Sequence, residues 1–240
     1  MVACINCKQS LTENYCSNCG HPAKLKRIDA HYIQHEIEHV LHFEKGIFYT
    51  VKELLIRPGD SVKEFISNNR NRLVKPIIYI IVTSLIYSII SHLFHTEDGY
   101  INLTQEGNPT VNKISAWVQA HYGYANIIMG VFIAMWAKLF FRKYNYNFFE
   151  ILILLCFIMG TSMLIYAVFA VIEGLTKFSL MQIGAALGFI YCTWSIGQFF
   201  DRKKIASYFK GFAAYILGMI TFGLGIAFIA IVYDVILKHA

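Results

Sequence analysis

Charge is what this sequence has least of. Asp, Glu, Lys and Arg make up 15% of its residues, where soluble domains carry about 25%. Hydrophobic residues make up 56% and aromatics 15%, so the deficit excludes an ordinary water-soluble domain and marks a membrane composition. A second absence lies at the N-terminus, MVACINCKQS. It has no basic segment followed by a short apolar run, so no cleavable signal peptide is expected and the polar head should stay on the side where it is made. The third absence is inside the apolar stretches. Ion-coupled transporters and pumps keep acidic, basic or His residues at mid-membrane depth, because such residues are costly there and persist only for function. None is evident: Glu150, Glu173, Lys138, Asp234 and His92 all fall near the ends of stretches, where a side chain can reach the interface.

What is present begins with Arg70-Asn-Arg-Leu-Val-Lys75-Pro76 followed by IIYIIVTSLIYSIISHLF. A basic run, a proline and a long apolar segment predict one helix long enough to cross a hydrocarbon core of about 30 Å. The expected spans are residues 76–94, 123–141, 149–172, 180–200 and 212–237. Together they make the transmembrane bundle, residues 76–240, of an all-α integral membrane protein. Five crossings put the termini on opposite sides, and the Lys and Arg residues agree with that count. Of the 21, all but Lys113, Lys177 and Lys238 precede the first span or fall in Lys138-Arg142-Lys143, Arg202-Lys203-Lys204 and Lys210. Positive charge is retained in cytoplasmic loops, so the expectation is an inner (cytoplasmic) membrane protein with its N-terminus inside and its C-terminus outside. The same bias accounts for the net charge of +6. The outer loop over residues 95–122 carries Glu97, Asp98 and Glu106 against Lys113, as befits an exported loop. Asn102-Leu-Thr104 fits a glycosylation acceptor.

The head opens with Cys4-Ile-Asn-Cys7 and Cys16-Ser-Asn-Cys19-Gly20. Two C-x2-C knuckles place four thiolates about one tetrahedral Zn²⁺, and the glycine lets the second turn close. Disulfides or a redox C-x-x-C pair are the alternatives; the inside orientation opposes the first and the doubled spacing the second. All four ligands are Cys, so no position is open for a catalytic water and the zinc is structural. Residues 1–22 are therefore expected to be a zinc ribbon whose folding depends on metal.

Residues 28–75 read as cytoplasmic amphipathic or interfacial helices. Ile33, Ile37, Val40 and Leu41 follow helical spacing beside a stripe of His31, His35, His39 and His42. Within it, His35-Glu36-Ile-Glu-His39 matches H-E-x-x-H, which in metalloproteases puts two imidazoles on zinc and a glutamate on water. A zincin also needs a third ligand and a cleft built from a substantial domain, and only about fifty residues separate ribbon from membrane. The motif is therefore read first as a polar helix face, then as a second, non-catalytic metal site, and last as a protease with His35, Glu36 and His39. Phe48, Val51, Leu54 and Leu55 line a short helix stopped at Arg57-Pro58-Gly59. A second helix is expected to start from an Asp60 or Ser61 cap, with Ser61 and Glu64 as a capping box, and Val62, Phe65 and Ile66 as its apolar face. Both should lie at headgroup level, where their basic residues meet anionic lipid. Glu53, Asp60 and Glu64 interrupt the basic charges and no reader motif is present, which argues against nucleic acid.

The four-Cys ribbon with Tyr15 and Gly20, then HFEKGIFYT from His42, the LLIRPG step, VKEFI, and Arg70-x-Arg72 ahead of Pro76, resemble the DUF3667 membrane proteins of bacteria, chiefly Bacteroidetes. The resemblance covers about residues 1–95. It implies a zinc-ribbon multi-pass protein, and the family's name denotes a domain of unknown function.

Gly184-Ala-Ala-Leu-Gly188 and Gly218, Gly223 and Gly225 offer small faces for close helix packing or self-association. Cys156 and Cys192 are isolated in apolar segments and expected to be inert. The function expected is non-enzymatic: a membrane protein that binds a cytoplasmic partner through its zinc ribbon as scaffold, sensor or regulator. A small oligomeric channel or pore-forming effector built on the glycine faces is the alternative.

Overall fold

The computed structural model describes residues 46–68, 70, 72–94 and 121–239, with short pieces at 2–3, 10–11, 17–18, 110 and 117–118, and side chains as far as Val232. The chain divides into two compact units, Met1–His42 and Phe43–Ala240. In the first, β1 (Val2–Ala3) pairs antiparallel with β2 (Ser10–Leu11), Val2 opposite Leu11 and Ala3 opposite Ser10. Ser17 and Asn18 form a turn.

The second unit is helical. α1 (Gly46–Ile56) and α2 (Pro58–Ser67) precede five helices long and apolar enough to cross a membrane: α3 (Pro76–Phe94), α4 (Tyr122–Phe140), α5 (Phe148–Thr176), α6 (Met181–Asp201) and α7 (Ile205–His239). A 3-10 turn, Arg142–Tyr144, joins α4 to α5. α5 is the central helix: 72% of its most apolar stretch is buried inside the protein, against 17% for α7. α3 lies along α5, α6 packs on α5 and α7, and α4 packs on α5 and α7. One hydrophobic core runs through the unit, with Tyr79, Ile80, Ile133, Leu154, Phe157, Ile196 and Phe199 all buried.

The first four spanning helices match the expected spans closely, α3 to the residue. α5 runs on to Thr176 because nothing breaks it before Lys177, which takes the left-handed conformation at φ 60°. α7 starts at Ile205 rather than near residue 212. Lys210 is thus inside the helix, and its ammonium reaches the Phe140 carbonyl at 3.4 Å. The long stem lets a charge sit within a membrane helix near its end.

One local expectation is corrected, and the glycine faces take the first of their two expected roles, close helix packing. α2 is not capped by Asp60 or Ser61: Pro58 occupies its first turn and no side chain caps it. Proline lacks the N–H that a cap would satisfy and its φ is already helical, so Ser61 and Glu64 are left for other partners. The Gly184-x3-Gly188 face is covered within the chain, since a Cβ at Gly184 would meet the Phe169 ring and one at Gly188 the Tyr166 ring. Gly218 lies against the Ile133 backbone, whereas Gly223 has nothing within 4 Å. Small residues here let the helices of one bundle approach each other.

Candidate functional site

Cys4, Cys7, Cys16 and Cys19 lie outside the described residues, as do His31, His35, Glu36, His39 and His42, the acids of residues 95–122 and Asn102. The side chain of Asp234 is likewise outside them. Among the described residues no group of three or more His, Cys, Asp or Glu could hold a metal. Cys156 and Cys192 are both buried free thiols.

The polar constellation that the fold does assemble sits where α1 and α2 meet the bundle. Glu53, on the last turns of α1, is the centre; its side chain is 14% exposed. Its carboxylate accepts from Arg57 Nε at 3.0 Å, from Ser61 Oγ at 3.1 Å and from Arg72 at 2.8 Å. Arg72 stands between α2 and α3 and its guanidinium serves three partners. Besides Glu53 it donates to the Tyr49 hydroxyl at 2.9 Å and pairs with Glu64 of α2. A planar fork with five donors can do this where a point charge cannot. Thr50 completes the junction by accepting the Val74 amide at 3.1 Å. α1, α2 and the lead into α3 are thereby tied into one piece.

That piece is seated on α5 and α6. Leu54 and Val62 are fully buried and Phe65 is 5% exposed, with the Phe65 ring edge-on to Phe157 at 5.2 Å. Their apolar faces meet protein, while Phe48, Leu55 and Ile56 face outward. Gly59 lies against the α6 backbone, and its amide donates to Gln198 Oε1 at 2.7 Å. The Tyr191 hydroxyl donates to the Leu54 carbonyl at 3.0 Å, one of the four α1 carbonyls that the helix cannot itself satisfy. Arg202 reaches Asp60 at 3.3 Å across the rim.

Burial alone would raise the Glu53 carboxyl. The hydrogen bonds from Arg57 and Ser61, with the Arg57 and Arg72 charges, outweigh it and hold the group below its ordinary value. Glu53 is therefore a fixed anion at neutral pH, with Arg57, Ser61 and Arg72 all donating to its Oε2. The arrangement is a clamp: donors from the α1–α2 junction, α2 and the lead into α3 close on one carboxylate oxygen.

Sequence reasoning treated Glu53 and Glu64 as interruptions of basic charge. The i, i+4 spacing of Glu53 and Arg57 was the available signal. Nothing local pointed to Arg72. Glu150 and Glu173, read as boundary residues, do cap: Glu150 closes a capping box with Asn147 at the start of α5. Glu173 accepts the Leu180 and Met181 amides at 2.7 Å each at the start of α6.

Five membrane-crossing helices with two further helices locked across one end define a multi-pass helical membrane protein. Residues 44–88 of the chain match the model of DUF3667, described as a protein of unknown function. This is the family that the sequence resembles, and the matched stretch holds Tyr49, Glu53, Arg57, Ser61, Glu64 and Arg72. No curated protein and no solved structure matches the chain.

Proposed function

We propose that this is a non-enzymatic protein of the bacterial inner membrane, N-terminus cytoplasmic and C-terminus outside, that holds a cytoplasmic protein partner through a Cys4 zinc ribbon. The observation that carries the reading is the clamp. The chain passes from its first unit into α1, and α1 is fastened by Glu53, Arg72 and Tyr191 to the spanning helices. α1 is thereby a fixed base on the bundle, which is what a scaffold, sensor or regulator requires.

Two features of the first unit fit a ribbon. The β1–β2 pairing doubles the chain back around the stretch containing Cys4 and Cys7, and the turn at Ser17–Asn18 falls between Cys16 and Cys19. Both support the zinc-knuckle reading, and four thiolates suit a closed structural site. Orientation is supported by the crowding of Lys52, Lys63, Arg142, Lys143, Lys203 and Lys204 near the end where α1 and α2 sit.

The test is zinc per chain in detergent-purified protein, with co-purification from native membranes run in parallel. We expect one zinc, lost in Cys4→Ser/Cys16→Ser and retained in His35→Ala/His39→Ala, and a stoichiometric partner lost with that zinc. A zinc lost with the histidines instead, or a partner indifferent to the cysteines, would overturn the reading. Loss of a peptide-cleaving activity in Glu36→Gln would favour the H-E-x-x-H protease. A small oligomeric pore is the second reading. Ion flux through reconstituted protein decides that reading.

A further inference from the structure

The two connections at the clamped end, α4 to α5 and α6 to α7, are fastened into a single corner. Phe141 and Phe200 stack with centroids 3.8 Å apart and planes 4° from parallel. The Tyr144 hydroxyl reaches Asp201 at 3.4 Å, and Lys210 bridges from α7 to the last carbonyl of α4 at 3.4 Å. This corner gathers Arg142, Lys143, Arg202, Lys203, Lys204 and Lys210. Its acids are already engaged: Asp60 with Arg202 at 3.3 Å and Asp201 with Lys204 at 2.6 Å. Arg142, Lys143, Lys203 and Lys210 make no ion pair among the described residues, and all four are exposed. Immediately beside them, Ile205, Phe209 and Phe212 follow one another along an outward face of α7, exposed by 72%, 71% and 46%.

A rigid cluster of unpaired cations bordered by an exposed apolar face has the two halves of an amphiphile written into it. The apolar side chains suit acyl chains, and the cations suit a headgroup that carries net negative charge. We propose that this corner binds an acidic glycerophospholipid, its phosphate held by Arg142 and Lys203 with Lys143 and Lys210 flanking, and its chains lying along Ile205, Phe209 and Phe212. Arg142 supplies the forked donor that matches a phosphate. A zwitterionic lipid brings its own cation to the same place and cancels the gain. Membrane insertion alone requires positive charge somewhere in these loops. It does not require the two loops to be stacked into one patch with their acids neutralised.

The experiment uses the full chain in detergent, titrated with phosphatidylglycerol or phosphatidylcholine and read by native mass spectrometry. Wild type should retain phosphatidylglycerol in preference to phosphatidylcholine. Arg142→Gln/Lys203→Gln should weaken the acidic lipid by about tenfold or more, each cation near an anionic surface being worth about one decade or somewhat less. Lys52→Gln/Lys63→Gln removes the same charge from the same end and should leave retention near wild type. Equal retention of the two lipids, or equal loss in both variants, overturns the proposal by reducing it to net charge. Displacement by excess inorganic phosphate also overturns it, since the site would then recognise a free anion. The substituted residues make no ion pair among the described residues, and thermal unfolding of each variant verifies that the bundle is intact.

Discussion

Gly59→Ala is a one-carbon test of whether α2 is seated on α6. A Cβ at residue 59 would lie 2.5 Å from Phe199 N, 2.6 Å from Gln198 C and 2.9 Å from Gln198 O. All three are backbone atoms of a buried helix, so α2 must move. Its displacement breaks the 2.7 Å hydrogen bond to Gln198 and loosens Val62 and Phe65 in the core. Overpacking of this kind costs about 1–3 kcal/mol and a lost hydrogen bond about 1 kcal/mol. Alanine returns roughly 0.5–1 kcal/mol over glycine within a helix. The expected net loss is about 1–3 kcal/mol, which for a chain of this size lowers the unfolding midpoint by roughly 3–10 °C. The assay is thermal unfolding in detergent, with thiol labelling of an added Val62→Cys to report whether α2 has lifted. Gly223→Ala, where nothing lies within 4 Å, is the control and should be neutral or slightly stabilising. An unchanged midpoint in Gly59→Ala, with Val62→Cys as unreactive as before, would refute the seat.

Arg72→Met removes the shared partner of Glu53, Glu64 and Tyr49. Glu53 keeps Arg57 and Ser61, so the loss should be about 1–3 kcal/mol, less than for a fully buried pair left unpaired, and Arg72→Lys should recover less than half of it; chemical denaturation of purified protein reads both. The Glu53 carboxyl is held below its ordinary value in the folded state. Its contribution is thus present above the unfolded value near 4.5 and is lost as pH falls through the folded one. The unfolding midpoint should be level from neutrality to about pH 5 and decline below that, and Glu53→Gln should flatten the part of the decline due to this group. Tyr191→Phe deletes the donor to the Leu54 carbonyl and should cost about 1–3 kcal/mol, since it leaves a buried acceptor unmet; a midpoint within error of wild type would mean that α1 does not bear on α6.

The spanning helices were legible because length and apolarity suffice to define them; α3 needed only its proline and its run of Ile, Val and Leu. Legibility failed wherever the decisive partner was distant in sequence. The Ser61–Glu64 spacing satisfied the capping-box pattern, but Pro58 had already supplied the helix start, and both side chains were drawn to Glu53 and Arg72. Gly184 and Gly188 showed a small-residue face, yet periodicity cannot say whether Phe169 and Tyr166 of the same chain or a second copy covers it. Lys210 looked like a loop residue because its charge outweighed the helical context of Ile205 to Phe209. Glu173 caps a helix that starts eight residues on, through a turn no local pattern announced. The cysteine ribbon and the His35-Glu36-His39 spacing lie outside the described residues and stand as sequence readings.

The matched stretch, residues 44–88, contains the whole clamp but not its seat. Glu53, Glu64 and Arg72 fall within it, whereas Tyr191, Gln198 and Phe199 belong to α6 and Arg202 follows its last residue. Leu54, Val62 and Phe65 are buried only because α5 and α6 cover them, so α1 and α2 cannot be a self-sufficient domain that merely decorates a membrane anchor. Their rigidity is borrowed from the bundle, and the loan runs both ways. A load applied to the chain ahead of Gly46 falls first on α1. From there the Leu54 carbonyl and Tyr191 hydroxyl carry it into the middle of α6, and Gly59 and Asp60 carry it into the end of the same helix. Two points of attachment on one helix resist rotation as well as translation. α1 and α2 are therefore coupled mechanically to α6, the helix that Glu173 starts and whose far end carries the basic corner.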